Sequence, residues 1–178
     1  MSLYQKLEAV GLKFFKPHTL FKYGFNFSPM YRRSTARITH VSKDIMKVTV
    51  KLPVSWKNRN YMNSIYGGSL FSAVDPIPMI QLVNILGKEY VVWDKSAVIH
   101  FKRPAKENVY ADFIFNEAEI SEIRKRIAFE KEFDITKSTS LTNKEKSIVY
   151  CTVDKTIYIA EKQFYKAKRA KKQSKKAS

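Results

Sequence analysis

The sequence predicts an α+β domain in which one antiparallel sheet curls around one long buried helix. Three observations carry that reading. Residues 61–87, YMNSIYGGSLFSAVDPIPMIQLVNILG, hold the longest apolar run in the chain, and their apolar positions fall on nearly every helical face, which argues for burial all round. The stretches on either side alternate apolar and polar residues, as half-buried strands do. The order of elements is a helix, a hairpin, the long helix and then four strands, which suits an antiparallel sheet around a helix.

Residues 2–15 space Leu3, Leu7, Val10, Leu12, Phe14 and Phe15 as an amphipathic helix ending between Gly11 and Pro17. The aromatic-rich segment 14–31, with Phe21, Tyr23, Phe25, Phe27 and Tyr31, reads as irregular chain that packs over the domain or lines a mouth. Its charges do not fall on one clear face, which argues against a membrane-surface anchor. From Ser34 to Leu52 the alternation of Ala36, Ile38 and His40, then Ile45, Val48 and Val50, brackets a turn at Ser42 to Asp44. This is a two-stranded hairpin, ended by Pro53. The loop WKNRNYMNS, dense in Asn58, Arg59, Asn60 and Asn63, leads into the long helix. Pro76 and Pro78 lack amide protons and crowd the preceding turn, so a kink or restart is expected there, and Gly87 is the stop. A strand from Tyr90 to Lys102 ends at Arg103-Pro104. Three more follow near Val109 to Asn116, Ile127 to Thr136 and Ser147 to Ala160, with a helical turn over Glu117 to Lys125. The organisation is a lead-in over 1–33, one folded domain over 34–160 and a basic tail over 161–178.

The chain of 178 residues holds one domain with a real core and not two. The single cysteine, Cys151, rules out an internal disulfide and suits a reducing compartment. His18, His40 and His100 are scattered, so no metal centre is expected. The first residues lack a secretory pattern, and no stretch is an uninterrupted apolar span, so the expected location is the cytoplasm. Net charge is +17, of which residues 161–178 carry +7 through eight Lys or Arg against Glu161. That tail reads as solvated chain, disordered at its end, rather than as a nucleic-acid arm. No strand shows the paired exposed aromatics of a single-strand or RNA platform, so no nucleic-acid partner is expected.

Ser69, Ser72 and Asp75 make a polar row on the long helix. A carboxylate on a buried helix needs a partner or a task. Followed by Pro76, Asp75 can be the N-cap of a second half-helix over Ile77 to Leu86; it can equally be catalytic, and the residues alone leave both open.

The element order, together with YGGSLFSAVD at 66–75, resembles the hotdog fold, and within it the phenylacetic-acid-degradation (PaaI-like) branch of acyl-CoA thioesterases. Gly67, Gly68, Leu70, Phe71 and Asp75 stand at the spacing of that branch's His-Gly-Gly turn, Leu-Phe pair and helix Asp, but Tyr66 occupies the histidine position. The segments WKNRNYMNSIYGGSLFSAVDP and YVVWDKSAVIHFKRPAKENVYADF look closer still to a hotdog subgroup of uncharacterised function. In that subgroup Trp93-Asp94-Lys95 recurs without an assignable mechanism. The resemblance implies a homodimer, or a dimer of dimers, with each site shared between subunits, and hydrolysis of an acyl-CoA thioester with no cofactor beyond the coenzyme A of the substrate. The amide of Gly68, at a helix N-terminus, is then the donor to the growing carbonyl charge, and Asp75 the base. Asn63, Tyr66 and Ser72 would orient water or the thioester, with loop capping, packing and helix back-bonding as their structural alternatives. Gly67 and Ser69 would line the substrate, and Lys95, Lys102 and Arg103 would hold coenzyme A phosphates. The other reading is a non-catalytic acyl-CoA or acyl-chain binding domain that kept the tunnel and lost the chemistry with its histidine.

Overall fold

The computed structural model describes residues 10–177. Six strands, β1 (Arg37–Val41), β2 (Lys47–Leu52), β3 (Tyr90–Phe101), β4 (Val109–Ile114), β5 (Glu132–Thr142) and β6 (Val149–Glu161), form one antiparallel sheet in the order β1-β2-β4-β5-β6-β3. The helices are α1 (Pro17–Phe27), α2 (Pro29–Arg32), α3 (Gly67–Val74), α4 (Ile77–Leu86), α5 (Glu117–Glu130) and α6 (Lys162–Ala177).

The class is α+β, as the sequence predicts, but the sheet does not curl or close around a helix. β1 and β3 stand at opposite ends with one neighbour each. The middle is nearly unzipped, since β4 and β5 pair only at Tyr110↔Thr142 and Ala111↔Leu141. Lys137 of β5 occupies the gap: its ammonium donates to the Ile114 carbonyl at 2.9 Å and to Glu119 at 2.8 Å, and lies 4.4 Å from the Phe115 ring centre. The long helix spans Gly67–Leu86 and restarts at the prolines, as the sequence predicts. Pro76 and Pro78 remove the amides that the Ser72 and Val74 carbonyls would accept from, so α3 and α4 are its two segments. Gly67–Leu86 has the length and hydropathy of a membrane span, with a mean hydropathy of 1.4. Yet Leu70, Ala73, Val74, Ile77, Leu82 and Leu86 are spent on the sheet.

The break divides the core. Leu70, Ala73, Val74 and Ile77 pack with β1, β2, β4 and the Cys151 and Val153 end of β6. Leu82 and Leu86 pack with α5, Val92, Phe133, Ile157 and Ile159.

Other expectations give way to helices. Segment 14–31 is not irregular: α1 and α2 each start on a proline at the first turn, where its missing amide costs nothing. Phe21 and Phe25 face inward against Tyr31, while Asn26 exchanges hydrogen bonds with the Ile38 backbone at 2.8 and 2.9 Å. The turn expected over Glu117 to Lys125 is the full helix α5, N-capped by Asn116, and it takes residues 127–130 from the predicted strand. Ile120, Ile123 and Ile127 form its buried stripe, a helical spacing whose end also reads as strand alternation. Residues 162–177 of the basic tail form α6, rich in the good helix formers Lys, Ala, Arg and Gln. Tyr165 lies against Tyr158 and Lys168 pairs with Glu132. Of the helix expected over 2–15, residues 2–9 lie outside the described residues, and only Val10 and Gly11 are helical.

Two outcomes follow. Cys151 is fully buried and its thiol is pushed up to about 12 by burial, so a thiol reagent at neutral pH should label it only through global unfolding. Labelling rates across a urea series should therefore parallel loss of tertiary signal, and fast labelling of the native protein would contradict the packing. Second, the buried Tyr31 hydroxyl donates to the Ala73 carbonyl at 2.9 Å. Tyr31→Phe should cost about 1–3 kcal/mol and lower Tm by roughly 3–10 °C, read by calorimetry.

Candidate active site at the opening and end of α3

The loop before α3 is built to deliver Tyr66 and Gly67 to one place. Buried Asn58 is its post: the side chain donates to Thr35 Oγ1 at 2.7 Å and to the Pro53 carbonyl at 2.8 Å, and accepts from the Ser55 amide at 2.9 Å. Its carbonyl accepts from the Tyr66 amide at 2.7 Å. Ile65 is tied to the Ala105 carbonyl at 2.7 Å. Asn63 is a turn residue at φ 60°, in the left-handed region, and its amide donates to Asn60 at 3.0 Å. So the polar density of this loop is largely turn chemistry.

At the N-terminus of α3 the amides of Gly67 and Gly68 come before the first intrahelical acceptor, while Ser69 and Leu70 donate to the Tyr66 carbonyl at 2.9 and 3.2 Å. Space bears on both glycines, at each through the ring of an exposed side chain that is able to move. A Cβ on Gly67 would lie 2.8 Å from the Phe101 ring, and one on Gly68 would lie 2.3 Å from the ring of Tyr66, itself exposed. Phe101 ends β3, and exposed Lys102 and Arg103 follow, their amides held by the Tyr150 carbonyl at 2.8 and 3.2 Å. The structure thus brings Tyr66, Gly67, Gly68, Lys102 and Arg103 to one end of the sheet. Lys95 is not with them: it pairs with Asp134 at 2.6 Å on the face away from α3, and the seven residue steps from Lys95 to Lys102 span about 23 Å of strand. Ser72 is exposed, with a long 3.5 Å contact to the Ser69 carbonyl, and Ser69 is half-buried on the first turn.

Asp75 is not the N-cap of α4. It ends α3, and Pro76 stands at the cap of α4 with no side-chain hydrogen bond. Its partner is Lys155 of β6. The Lys155 ammonium donates to Asp75 Oδ1 at 2.6 Å, to the Asp75 carbonyl at 2.9 Å and to Asp94 Oδ2 at 2.8 Å. Three protons meet three acceptors, on a side chain only 4% exposed. The Asp75 side chain is 42% exposed. Asp94 Oδ1 is buried without a partner, and burial holds the Asp94 carboxyl above its ordinary range despite Lys155. Sequence reasoning misses Lys155, and it finds Asp94 only within Trp93-Asp94-Lys95, without a role. The available signal was in β6, where Cys151, Val153, Ile157 and Ile159 alternate inward and Lys155 takes an inward place among them.

Neither of two clefts, of about 320 and 230 Å³, is lined by any of these residues. The first lies among Tyr90, Arg124 and Lys131, the second beside Lys137 and Phe113 at the unzipped seam.

A family model described as Domain of unknown function (DUF4442) matches residues 18–159. No curated protein sequence matches. Among solved structures, a Pseudomonas aeruginosa protein of unknown function described as a probable thioesterase superposes with a TM-score of 0.67 at 18% identity, over 81% of this chain and 93% of that one. A Chlorobaculum tepidum protein of unknown function gives 0.65 at 14%, over 81% and 94%. A Haemophilus influenzae thioesterase gives 0.57 at 11%, over 81% and 90%. These likenesses show a common fold, the hotdog fold.

The raised Asp94 gives a signed pH dependence. The folded chain keeps this proton in a window where the unfolded chain, at an ordinary 3.8, has released it. This group therefore costs no stability below that value, and an increasing amount as pH rises through the raised one. Urea unfolding of the parent and Asp94→Asn between pH 4 and 7 should show the parent losing ground to the variant as pH rises. A flat difference would mean that Lys155 keeps Asp94 ionised throughout.

Proposed function

We propose a function from one premise: the chain belongs to the family described as Domain of unknown function (DUF4442) and carries the hotdog fold. It hydrolyses an acyl-CoA thioester, with the thioester carbonyl on the Gly67-Gly68 opening of α3 and coenzyme A phosphate toward Lys102 and Arg103. The observation that carries this reading is the pair of amides without intrahelical acceptors beside two exposed cations. An anion or a carbonyl gaining charge is stabilised at such a helix end.

Asp75 serves as the base from a second subunit. Seven steps of helical rise separate Gly68 and Asp75, about 10 Å, whereas a base and an oxyanion donor must reach the same reacting centre within about 3–3.5 Å. One chain cannot do both with these residues. β3 offers the means of pairing: twelve residues long, it has an open hydrogen-bonding edge and exposes Trp93, Val98 and Phe101. An uncovered edge of that kind invites another strand. Lys155 holds Asp75 Oδ1, and Oδ2 has no partner among the described residues. Asn63, Tyr66, Ser69 and Ser72 surround the thioester in this arrangement. A coenzyme A substrate and a lone buried thiol suit the cytoplasm.

The second reading, acyl-CoA binding without hydrolysis, is favoured by two observations: tyrosine, not histidine, precedes Gly67, and Asp75 is already engaged by Lys155. The two readings separate on a panel of acyl-CoAs assayed for turnover and for thermal shift. For hydrolysis, Asp75→Asn should keep an acceptor for Lys155, melt within a few degrees of the parent and lose about 100-fold or more in turnover. Light scattering at micromolar concentration should report at least a dimer. A stable monomer ends the shared-site mechanism, and ligand-induced stabilisation without turnover in the parent selects binding alone.

A further inference from the structure

From Ala9 to Lys43 the chain holds seven Lys or Arg and no Asp or Glu. The same stretch exposes large apolar side chains: Phe14 is 76% exposed, Phe15 58%, Phe27 71% and Met30 52%. α1 explains why they cannot all turn inward. Phe21 and Phe25, four apart, already fill its inner face against Tyr31. Tyr23 and Phe27, also four apart, stack on each other at 6.2 Å on the opposite face. A helix apolar on two faces, one of them bare, wants a second apolar medium.

The charges say which medium. Lys13, Lys16, Lys22, Arg32 and Arg33 make no ion pair among the described residues, and Lys22 sits 5.7 Å over the Tyr23 ring. An apolar protein partner would not need an acid-free rim of cations. A folded nucleic-acid reader would carry its aromatics among amide and hydroxyl side chains that recognise bases; here the aromatics stand with Leu12 and Met30 instead. Aromatic and aliphatic tips ringed by unpaired cations match the boundary between acyl chains and anionic headgroups. The sequence alone argues against this because the cations follow no single helical face. The fold alters that reading by breaking the segment into a turn and two helices, so a single helical periodicity is no longer the test.

We propose that the lead-in around α1 and α2 docks the protein on the surface of bilayers containing anionic phospholipid, with Phe14, Phe15, Tyr23 and Phe27 entering the headgroup region. This surface is independent of the α3 site and of any reading of its chemistry.

The test is co-sedimentation of the full chain with vesicles of phosphatidylcholine alone and of phosphatidylcholine with about 30% phosphatidylglycerol, a fraction that gives the charged surface such cations sense. Anionic vesicles should bind at least about tenfold more protein, and added salt should weaken the binding. Lys13→Gln with Lys16→Gln should cost about fivefold per charge removed. Tyr23→Ser with Phe27→Ser should remove most binding while circular dichroism and Tm stay near the parent's. If that variant fails to fold, the charge variant decides. Equal binding to both vesicle types, or binding unmoved by the lead-in variants, overturns the proposal. So does loss of binding on Lys171→Gln with Lys172→Gln alone, which would move the surface to α6. Light scattering in which Tyr23→Ser with Phe27→Ser dissolves a self-associated parent would give the face to a second copy, and tighter binding to RNA than to anionic vesicles would give it to nucleic acid.

Discussion

The Lys155 ammonium is the constraint around which the helices and the far half of the sheet are arranged. Placing a cation at the seam between two apolar clusters costs several kcal/mol unless every proton finds an acceptor. Here the acceptors come from two elements: the end of α3, through both the carbonyl and the carboxylate of Asp75, and β3, through Asp94. β3 carries a register shift between Asp94 and Ser96, and a bulge of that kind re-aims side chains. With the shift, Asp94 pairs opposite Ile157 and Ala97 opposite Lys155.

The helix break and the cation solve one problem together. Prolines at 76 and 78 strip donors from carbonyls of α3, and carbonyls buried without donors are expensive. Beside the Ser72 and Val74 carbonyls that the prolines leave, those of Ala73 and Asp75 accept from outside the helix. Tyr31 of the lead-in serves Ala73, and Lys155 of β6 serves Asp75. An apolar residue at 155 would leave the Asp75 carbonyl needing a donor and Asp94 buried with neither oxygen satisfied. The break is therefore held at both sides, and the direction in which α3 presents Gly67 and Gly68 is fixed with it.

How far the sequence reveals this depends on whether the cause is local. Hairpin alternation in β1 and β2, prolines that end a helix and a Gly-Gly turn are local, and each is where the sequence predicts. The tight fit of Gly67 against Phe101 joins residues far apart in the chain, and only its glycine shows in advance. Lys155 is harder. In β6 it reads as one more polar residue in an alternating strand, and its inward phase becomes visible only when Cys151, Val153, Ile157 and Ile159 are counted with it. The end of α5 reads as strand because Ile127 and Phe129 suit a strand by spacing; Ile127 faces the core and Phe129 is 90% exposed, as the helical turn of 100° per residue requires. The open sheet was not legible at all. It follows from the two-pair contact between β4 and β5, which a chain with α5 inserted at that point could make short or long.

Asp75 shows why a single residue type can be read correctly and still be misassigned. That a carboxylate on this helix needs a partner is sound, and the partner exists. N-capping failed as the explanation because Asp75 has helical φ and ψ of −47° and −54°, whereas a capping side chain reaches back to amides from an extended backbone. The ion pair does not by itself exclude chemistry, since it occupies one carboxylate oxygen on a side chain that is still 42% exposed. It does change what Asp75 is: a group oriented by β6, so that any role at a reacting centre is also a role of Lys155, and through Lys155 of Asp94. Structure and chemistry at this position therefore cannot be separated by removing the lysine, which unseats both carboxylates. They separate only by a substitution at 75 that keeps an acceptor for Lys155 and removes the charge.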